Sequence, residues 1–140
     1  MDLQNWLKTA AQSFDMQLGI ISRIQDNRYE VLAAYSSLDL VKAGDEFPVD
    51  MTYCADVVSK AQIMAYHQVG AMTEMCLHPC YQAMHLESYI GTPLLIDDCI
   101  VGTLNFSSLE PRKQGFSEKD REKIQQLAAE YLNFSNSQVD

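Results

Sequence analysis

The segment from Ser88 to Ser108 sets the architecture of this chain: Ser88-Tyr-Ile-Gly-Thr-Pro-Leu-Leu-Ile96, then Asp97-Asp98, then Cys99-Ile-Val-Gly-Thr-Leu-Asn-Phe-Ser-Ser108. Two runs rich in β-branched and aromatic residues flank an acidic pair, and short polar residues tolerate the positive φ of a tight turn. This pattern predicts a β-hairpin. Because both runs are more apolar than strict alternation allows, we expect both strands inside a sheet that is covered on both faces.

Hydrophobic spacing predicts the elements that precede this hairpin. An amphipathic helix is expected over residues 1–15, with Asp2 available as its N-cap. A second hairpin is expected from the strands Gly19–Ile24 and Tyr29–Tyr35 around Asp26-Asn27. We then expect a loop over 36–50 and a short helix over Tyr53–Ala61, capped by Thr52 or Asp50. A brief strand over Gln62–Tyr66 should follow. After it we expect a loop to His78 and a helix from Pro79 to Leu86.

The C-terminal part of the chain is typical of a long helix. Ser117-Glu-Lys-Asp120 resembles a capping box in which Asp replaces the usual Glu or Gln. Apolar residues then recur on one stripe: Ile124, Leu127, Ala128, Tyr131 and Leu132. We therefore expect a helix over residues 117–134, followed by a polar tail over 135–140.

Length and charge restrict the class of protein. The 140 residues are predicted to form one domain, 1–140, which is large enough to bury a core without disulfides. The net charge of −9 disfavours nucleic acid and anionic membrane surfaces as partners. No apolar run reaches the roughly 18 residues of a membrane span, and we expect a cytoplasmic protein with reduced thiols.

Several motifs together resemble the GAF domain family. They are Tyr53-Cys-Ala-Asp-Val-Val, His78-Pro-Cys-Tyr81, Tyr89-Ile-Gly-Thr-Pro-Leu, Val101-Gly-Thr-Leu-Asn-Phe-Ser-Ser, Arg112 and Phe116-Ser-Glu-Lys-Asp120. The resemblance implies an α+β fold: a central antiparallel sheet of five or six strands, with the terminal helices on one face. Short helices and loops would form a pocket on the other face.

The polar-tipped residues nearest that expected pocket are the candidate ligand-binding residues. They are Tyr53, Cys54, Tyr66, His78, Cys80, Tyr81, Tyr89, Thr103 and Asn105. Strand alternation places Thr103, Asn105 and Ser107 on one face, opposite Leu104 and Phe106. An apolar cavity with a few convergent polar groups is how proteins usually hold small ligands. The alternative is that each tyrosine closes an edge of the core with its hydroxyl in water.

The cysteines and histidines raise the question of a metal or a bound chromophore. Cys76, His78, Cys80 and His85 are soft ligands within ten residues, but their spacing lacks the usual zinc knuckle, and we predict no metal site. Heme bound through a histidine, including His67, is an alternative that the sequence leaves open. Bilin-binding GAF domains attach their chromophore to a cysteine followed by histidine, a motif that Cys80-Tyr81 does not match.

A second activity within the resembling family is free methionine-(R)-sulfoxide reduction. Cys54 and Cys80 would be the counterparts of that enzyme's cysteines, and a helix N-terminus beside Cys54 could activate its thiol. However, the enzymes follow their first cysteine with Gly-Thr, whereas this chain has Ala55-Asp56. We therefore predict no catalytic residues.

The function that the resemblance implies is regulatory. We expect a sensory, small-molecule-binding module of a bacterial-type signalling protein, with no particular cofactor indicated. Apolar stripes on both terminal helices predict a homodimer through those helices. The resemblance also implies an output kinase or cyclase domain in a longer chain. A structural dimerisation domain that binds no ligand is the third hypothesis.

Overall fold

The computed structural model describes residues 2–137, which form four α-helices and six β-strands. The helices are α1 (Leu3–Ser13), α2 (Cys54–Lys60), α3 (Pro79–Met84) and α4 (Glu118–Ser137). The strands are β1 (Leu18–Gln25), β2 (Arg28–Ser36), β3 (Glu46–Pro48), β4 (Met64–Tyr66), β5 (Ser88–Ile96) and β6 (Cys99–Ser108). Single 3-10 turns occupy Val49–Met51, Val69–Ala71 and Met75–Leu77. None of the helices in residues 2–137 is long and apolar enough to cross a membrane.

The six strands form one antiparallel sheet in the order β3-β2-β1-β6-β5-β4. Both predicted hairpins are confirmed, and each turn uses two residues with positive φ. These are Asp26 (52°) and Asn27 (61°) in the first turn, and Asp97 (51°) and Asp98 (64°) in the second. Asp and Asn accept this backbone conformation more readily than most residues, so the local sequence fixes both registers.

Strand β6 lies near the middle of the sheet and contributes to two separate cores. Leu104 and Phe106 are fully buried with residues of α1 and α4 on one face. Thr103, Asn105 and Ser107 are buried on the opposite face, beneath α2 and α3. The predicted fold class is therefore confirmed, with terminal helices on one face and short helices on the other.

Gly102 allows β1 and β6 to approach closely at the edge of the buried region. A Cβ atom at this position would lie 1.8 Å from the backbone oxygen of Ser22. A register irregularity in the pairing of β1 with β2 lies beside this point, between Ile21 and Ser22. Because backbone atoms of two paired strands cannot move apart independently, only glycine fits here.

The structure corrects the predicted boundaries in the middle of the chain. The segment 36–50 is not all loop, because β3 pairs with β2 through Tyr29 and Phe47, whose rings lie 6.2 Å apart. Neither Thr52 nor Asp50 caps α2; the Thr52 hydroxyl instead donates to the Val49 carbonyl at 2.8 Å. The helix α3 ends at Met84 instead of Leu86, since the next residue has a φ of 54°.

Both terminal helices also differ from their predicted bounds. The helix α1 is shorter than the helix predicted over 1–15, because Phe14 ends α1 as its C-cap. The predicted capping by Asp2 is confirmed, since its carboxylate accepts from the Asn5 N–H at 3.2 Å. The helix α4 continues through residues 135–137, which we predicted as tail, while 138–140 and Met1 lie outside the described residues.

Arg112 joins the two terminal helices to the loop between β6 and α4. Its guanidinium donates to the Phe14 carbonyl at 2.6 Å, to the Gly115 carbonyl at 2.8 Å and to Asp120 at 3.3 Å. Asp120 also accepts from the Ser117 N–H at 2.9 Å, while the Ser117 hydroxyl accepts from the Asp120 N–H at 3.2 Å. The predicted capping box is thus confirmed, with Asp in the role of Glu.

The charge on Asp120 makes this junction dependent on pH. Partial burial acts to raise the pKa of Asp120, but the Ser117 donors and the Arg112 guanidinium outweigh it and leave the pKa below its usual value. A carboxyl whose pKa is lowered on folding stabilises the fold above its unfolded pKa, near 4, and loses that contribution as the pH falls through the folded pKa.

Replacement of Asp120 by Asn should therefore reduce the free energy of unfolding by about 1 kcal/mol at pH 7. The difference from the wild type should shrink as the pH falls below about 4, because the wild-type carboxyl then becomes neutral as well. Urea denaturation at several pH values measures both effects. The matched control is Glu122→Gln, an exposed carboxylate of the same helix, which should change stability by less than about 0.5 kcal/mol. An Asp120→Asn deficit that persists undiminished in acid would contradict this account.

Candidate functional site

A small cavity lies on the face of the sheet opposite the terminal helices. Its floor is the inner part of the sheet, and its walls are α2, α3 and the segment 41–52. The lining residues are Leu18, Ile20, Tyr29, Val41, Phe47, Met51, Thr52, Tyr53, Cys54, Cys80, Met84, Leu86, Tyr89, Asn105 and Ser107. The cavity has a volume of about 70 Å³. Met51 is the most exposed of these lining residues, at 46%.

A buried polar cluster forms one end of the cavity. The Cys54 sulfur lies 3.0 Å from the Tyr89 hydroxyl, 3.2 Å from the Thr103 hydroxyl and 3.3 Å from the Asn105 amide nitrogen. The Asn105 amide nitrogen also donates to the Tyr29 hydroxyl at 3.1 Å. In low-dielectric surroundings such a fully connected network holds its members in one arrangement.

Burial keeps this cluster uncharged. The Cys54 side chain is only 1% exposed, and burial raises its thiol pKa against the opposing hydrogen bonds from Thr103, Tyr89 and Tyr29. Burial likewise raises the pKa of Tyr29 and of Tyr89 well above the ordinary value. At neutral pH the thiol and both phenols are therefore protonated. The position of Cys54 at the start of α2 does not yield an activated thiolate.

Tyr53 holds α3 in place as the wall of the cavity. Its hydroxyl donates to the Leu86 carbonyl at 2.8 Å, beyond the C-terminal end of α3. At the N-terminal end of α3, the Tyr53 ring packs edge-on against His78, with 5.1 Å between the ring centroids. His78 in turn caps α3, because its Nδ1 accepts from the Cys80 N–H at 3.0 Å. Burial lowers the pKa of His78, while the nearby Asp56 carboxylate acts to raise it. The lowered pKa favours the neutral imidazole, which this cap requires because only an unprotonated Nδ1 can accept a hydrogen bond.

The structure separates the predicted site residues into two groups. Those that line the cavity are Tyr53, Cys54, Cys80, Tyr89 and Asn105. Thr103 lies behind the lining and supports it through the polar cluster. The other three do not line the cavity: His78 caps α3, Tyr66 donates to Asp56 at 2.7 Å, and Tyr81 donates to Glu87 at 2.7 Å.

The sequence interpretation missed the apolar walls of the cavity. Leu18 and Ile20 alternate along β1 toward the same face as Asn105, so the period-two pattern could have identified them. Ser107 follows the same logic on β6. Val41 and Met51 lie in segments whose sequence shows no helix or strand periodicity, so no pattern could have identified them.

The cysteines and histidines of the segment 76–85 take separate positions. Cys76 is half-buried and donates to the Thr73 carbonyl, whereas Cys80 faces the cavity. The His85 ring packs against Tyr81, with 5.1 Å between centroids. Within residues 2–137 no three His, Cys, Asp or Glu side chains are grouped to hold a metal ion.

The lining of this cavity is uncharged. Among the lining residues, all within the described part of the chain, none carries a charge at neutral pH. Burial raises the pKa of Cys80 to about 12, so this thiol is protonated as well. The arrangement offers apolar contact along the walls and hydrogen bonds at the polar end, which suits a small ligand.

Comparison with known proteins places the chain among GAF domains. The family model of the GAF domain matches residues 3–131. No curated protein sequence matches the chain. The structure resembles the GAF domain of an Acinetobacter phosphoenolpyruvate-protein phosphotransferase, which is 16% identical with a TM-score of 0.72 over 91% of this chain and 75% of that chain.

Two further solved structures have a similar fold. The type II free methionine-R-sulfoxide reductase from Thermoplasma acidophilum is 15% identical, with a TM-score of 0.69 over 90% of this chain and 84% of that chain. The blue-light absorbing form of the Thermosynechococcus elongatus PixJ GAF-domain is 18% identical, with a TM-score of 0.66 over 97% of this chain and 89% of that chain. At these identities the likeness is one of fold alone. Since the family model spans residues 3–131, the chain belongs to the GAF domain family.

Proposed function

We propose that this GAF domain is a regulatory module of a bacterial-type signalling protein, and that it senses a small molecule in the cavity beneath α2 and α3. The observation that supports this proposal most directly is the cavity itself. It combines apolar walls with an ordered polar end, and it lies on the sheet face that the terminal helices leave free. The proposal includes a cytoplasmic location, where the free cysteines would stay reduced.

The size of the cavity restricts the ligand. A volume of about 70 Å³ is well below the ~300–1,000 Å³ of cavities that hold drug-sized molecules. A nucleotide or a tetrapyrrole would enter only after displacement of α3. A ligand of a few non-hydrogen atoms would need only side-chain movement at Met51 and Met84, whose flexible thioethers adapt readily.

A route from the cavity to the terminal helices supports a signalling role. Asn105 lies at the cavity, and its neighbour Phe106 packs against Phe14 of α1, with 5.0 Å between ring centroids. A ligand that shifts β6 would therefore also shift the packing of α1. In a longer chain the helices could transmit that shift to an output domain such as a kinase or a cyclase, which is part of the proposal.

Filling the cavity should abolish ligand binding. Val41→Phe adds volume at a lining residue, whereas the control Leu32→Phe enlarges a residue on β2 that is 41% exposed. In a thermal-shift screen, a ligand at a hundred times its dissociation constant should stabilise the wild type by about 2.7 kcal/mol, or several degrees. The same ligand should stabilise Leu32→Phe equally and Val41→Phe much less. Equal stabilisation of all three proteins would place the binding site elsewhere.

We also propose that the domain is a homodimer through its helix face. Beside α4 lies a groove that combines the apolar side chains of Ile63, Pro93, Leu95 and Leu132 with the polar side chains of Gln62, Thr92, Glu118, Arg121 and Gln125. Leu95 is 45% exposed, although it belongs to a central hairpin. Such a patch on the side of the terminal helices is suited to self-association.

Sedimentation at high micromolar concentration tests the dimer. The wild type should sediment as a dimer, and Leu95→Glu should shift it toward the monomer, because each copy would bury a charge in the interface. The control is Leu77→Glu, at a residue that is 72% exposed in the segment 75–77 on the cavity side. A monomeric wild type would exclude the proposed dimer.

Free methionine-(R)-sulfoxide reduction is the second candidate, because Cys54 and Cys80 both line the cavity. Their buried, protonated thiols weigh against it, since the thiolate is the nucleophile. We expect no turnover above that of the Cys54→Ser/Cys80→Ser variant with thioredoxin or dithiothreitol as reductant. Wild-type activity that disappears in Cys80→Ser and persists in Cys99→Ser would establish the reductase instead.

A further inference from the structure

Two polar atoms at the cavity have no hydrogen-bond partner within residues 2–137. They are the Asn105 amide oxygen and the Ser107 hydroxyl, on residues that are 3% and 2% exposed. The Asn105 amide nitrogen faces the Tyr29 and Thr103 hydroxyls, so its amide oxygen points away from the polar cluster. Every fully enclosed side-chain nitrogen and oxygen of the described residues is paired, so these two atoms keep contact with the open space of the cavity.

Unpaired polar groups at a buried position indicate what a ligand would supply. Both atoms contact open space, where water can bond to them, so a ligand that displaces this water must supply the same hydrogen bonds or lose free energy. The Asn105 amide oxygen can only accept, whereas the Ser107 hydroxyl can donate or accept. A hydroxyl or a primary amide satisfies both atoms, because each of these groups carries a donor and an acceptor.

The lining excludes a charge on that group. Asp, Glu, Lys, Arg and His are all absent from the lining residues, which belong to the described part of the chain. The carboxylate of α2, Asp56, is not a lining residue and accepts from the Tyr66 hydroxyl. A carboxylate or ammonium group would lose its hydration in this cavity without meeting a counterion.

The volume sets the length of the ligand. One water requires roughly 10–15 Å³ of such space, so a cavity of about 70 Å³ holds about five water-sized groups. The lining also includes apolar side chains on one side of this space: Leu18 and Ile20 on β1, Val41 in the loop before β3, and Phe47 on β3. The space thus fits a short aliphatic body attached to one polar head.

From these observations we infer that the cavity binds an uncharged short-chain amphiphile, an alcohol or primary amide of about five non-hydrogen atoms. Its polar head pairs with Asn105 and Ser107, and its aliphatic body lies against Leu18 and Ile20. This inference rests on the proposed function, since it names the ligand class of the same cavity.

The experiment compares four probes of nearly equal size on the full chain: 1-butanol, butyramide, butyrate and butylammonium. Methyl resonances of Leu18, Ile20 and Val41 report binding at the cavity in a titration followed by NMR. We expect 1-butanol and butyramide to shift these resonances with millimolar affinity. The two charged probes should bind at least about tenfold more weakly. A tenfold ratio corresponds to ~1.4 kcal/mol, which is less than the cost of burying an unpaired charge.

Variants test the role of the polar head. Ser107→Ala should weaken 1-butanol about two- to tenfold, the effect of one lost hydrogen bond. The matched control is Ser108→Ala, whose hydroxyl contacts Gln17 at 3.0 Å outside the cavity, and it should leave the affinity unchanged. Melting curves of both variants verify that each remains folded.

The outcomes separate this inference from the proposed function. Equal affinity for charged and uncharged probes, with binding still blocked in Val41→Phe, would overturn the ligand class and leave the cavity as the sensing site. Unchanged affinity in Ser107→Ala would overturn the assigned head-group contact. If none of the four probes shifts the cavity resonances and no compound of the wider screen is sensitive to Val41→Phe, both the inference and the proposed function fail.

Discussion

The alternation of side chains along β6 is the constraint on which the rest of this structure depends. Leu104 and Phe106 anchor the terminal helices on one face, while Thr103, Asn105 and Ser107 build the cavity on the other. A shift of one residue in the register of β6 would exchange the two sets. The helix layer would then receive hydroxyls and an amide, and the cavity would be filled by a leucine and a phenylalanine. The close approach at Gly102 helps to exclude that shift, because only glycine fits beside the Ser22 carbonyl.

Two effects compete at Cys54, and burial prevails. The start of a helix and several hydrogen-bond donors favour a thiolate, whereas removal from water disfavours it. The side chain is 1% exposed, and the thiol pKa is raised. Cys54 therefore acts as a small, soft member of a neutral network with Tyr89, Thr103 and Asn105. A site with this electrostatic character is suited to hold a ligand and poorly suited to attack one.

The parts of the fold that were predictable from sequence are those that local chemistry fixes. The acidic pair Asp97-Asp98 accepts positive φ and therefore identified the central hairpin, and Ser117 with Asp120 identified the start of α4. The cavity face of β6, including Asn105, followed from period-two alternation. Each of these inferences needed only residues that are close in sequence. Side-chain partners that are distant in sequence could not be predicted in this way. Tyr66 turns to Asp56 and Tyr81 turns to Glu87, contacts with partners that no periodic pattern predicts.

The path of the chain between β4 and β5 explains why the cavity is small. Glu87 accepts from the Gly70 N–H at 2.8 Å and from the Tyr81 hydroxyl at 2.7 Å, so it joins the 69–71 turn to α3. The Tyr53 hydroxyl adds a third bond at the Leu86 carbonyl. Displacement of α3 by a large ligand would break the Tyr81 bond to Glu87 and strain the buried Tyr53 bond to Leu86. A compact ligand leaves them intact, so under the proposed function the bonds around α3 would select a ligand by size and the uncharged lining would select it by charge.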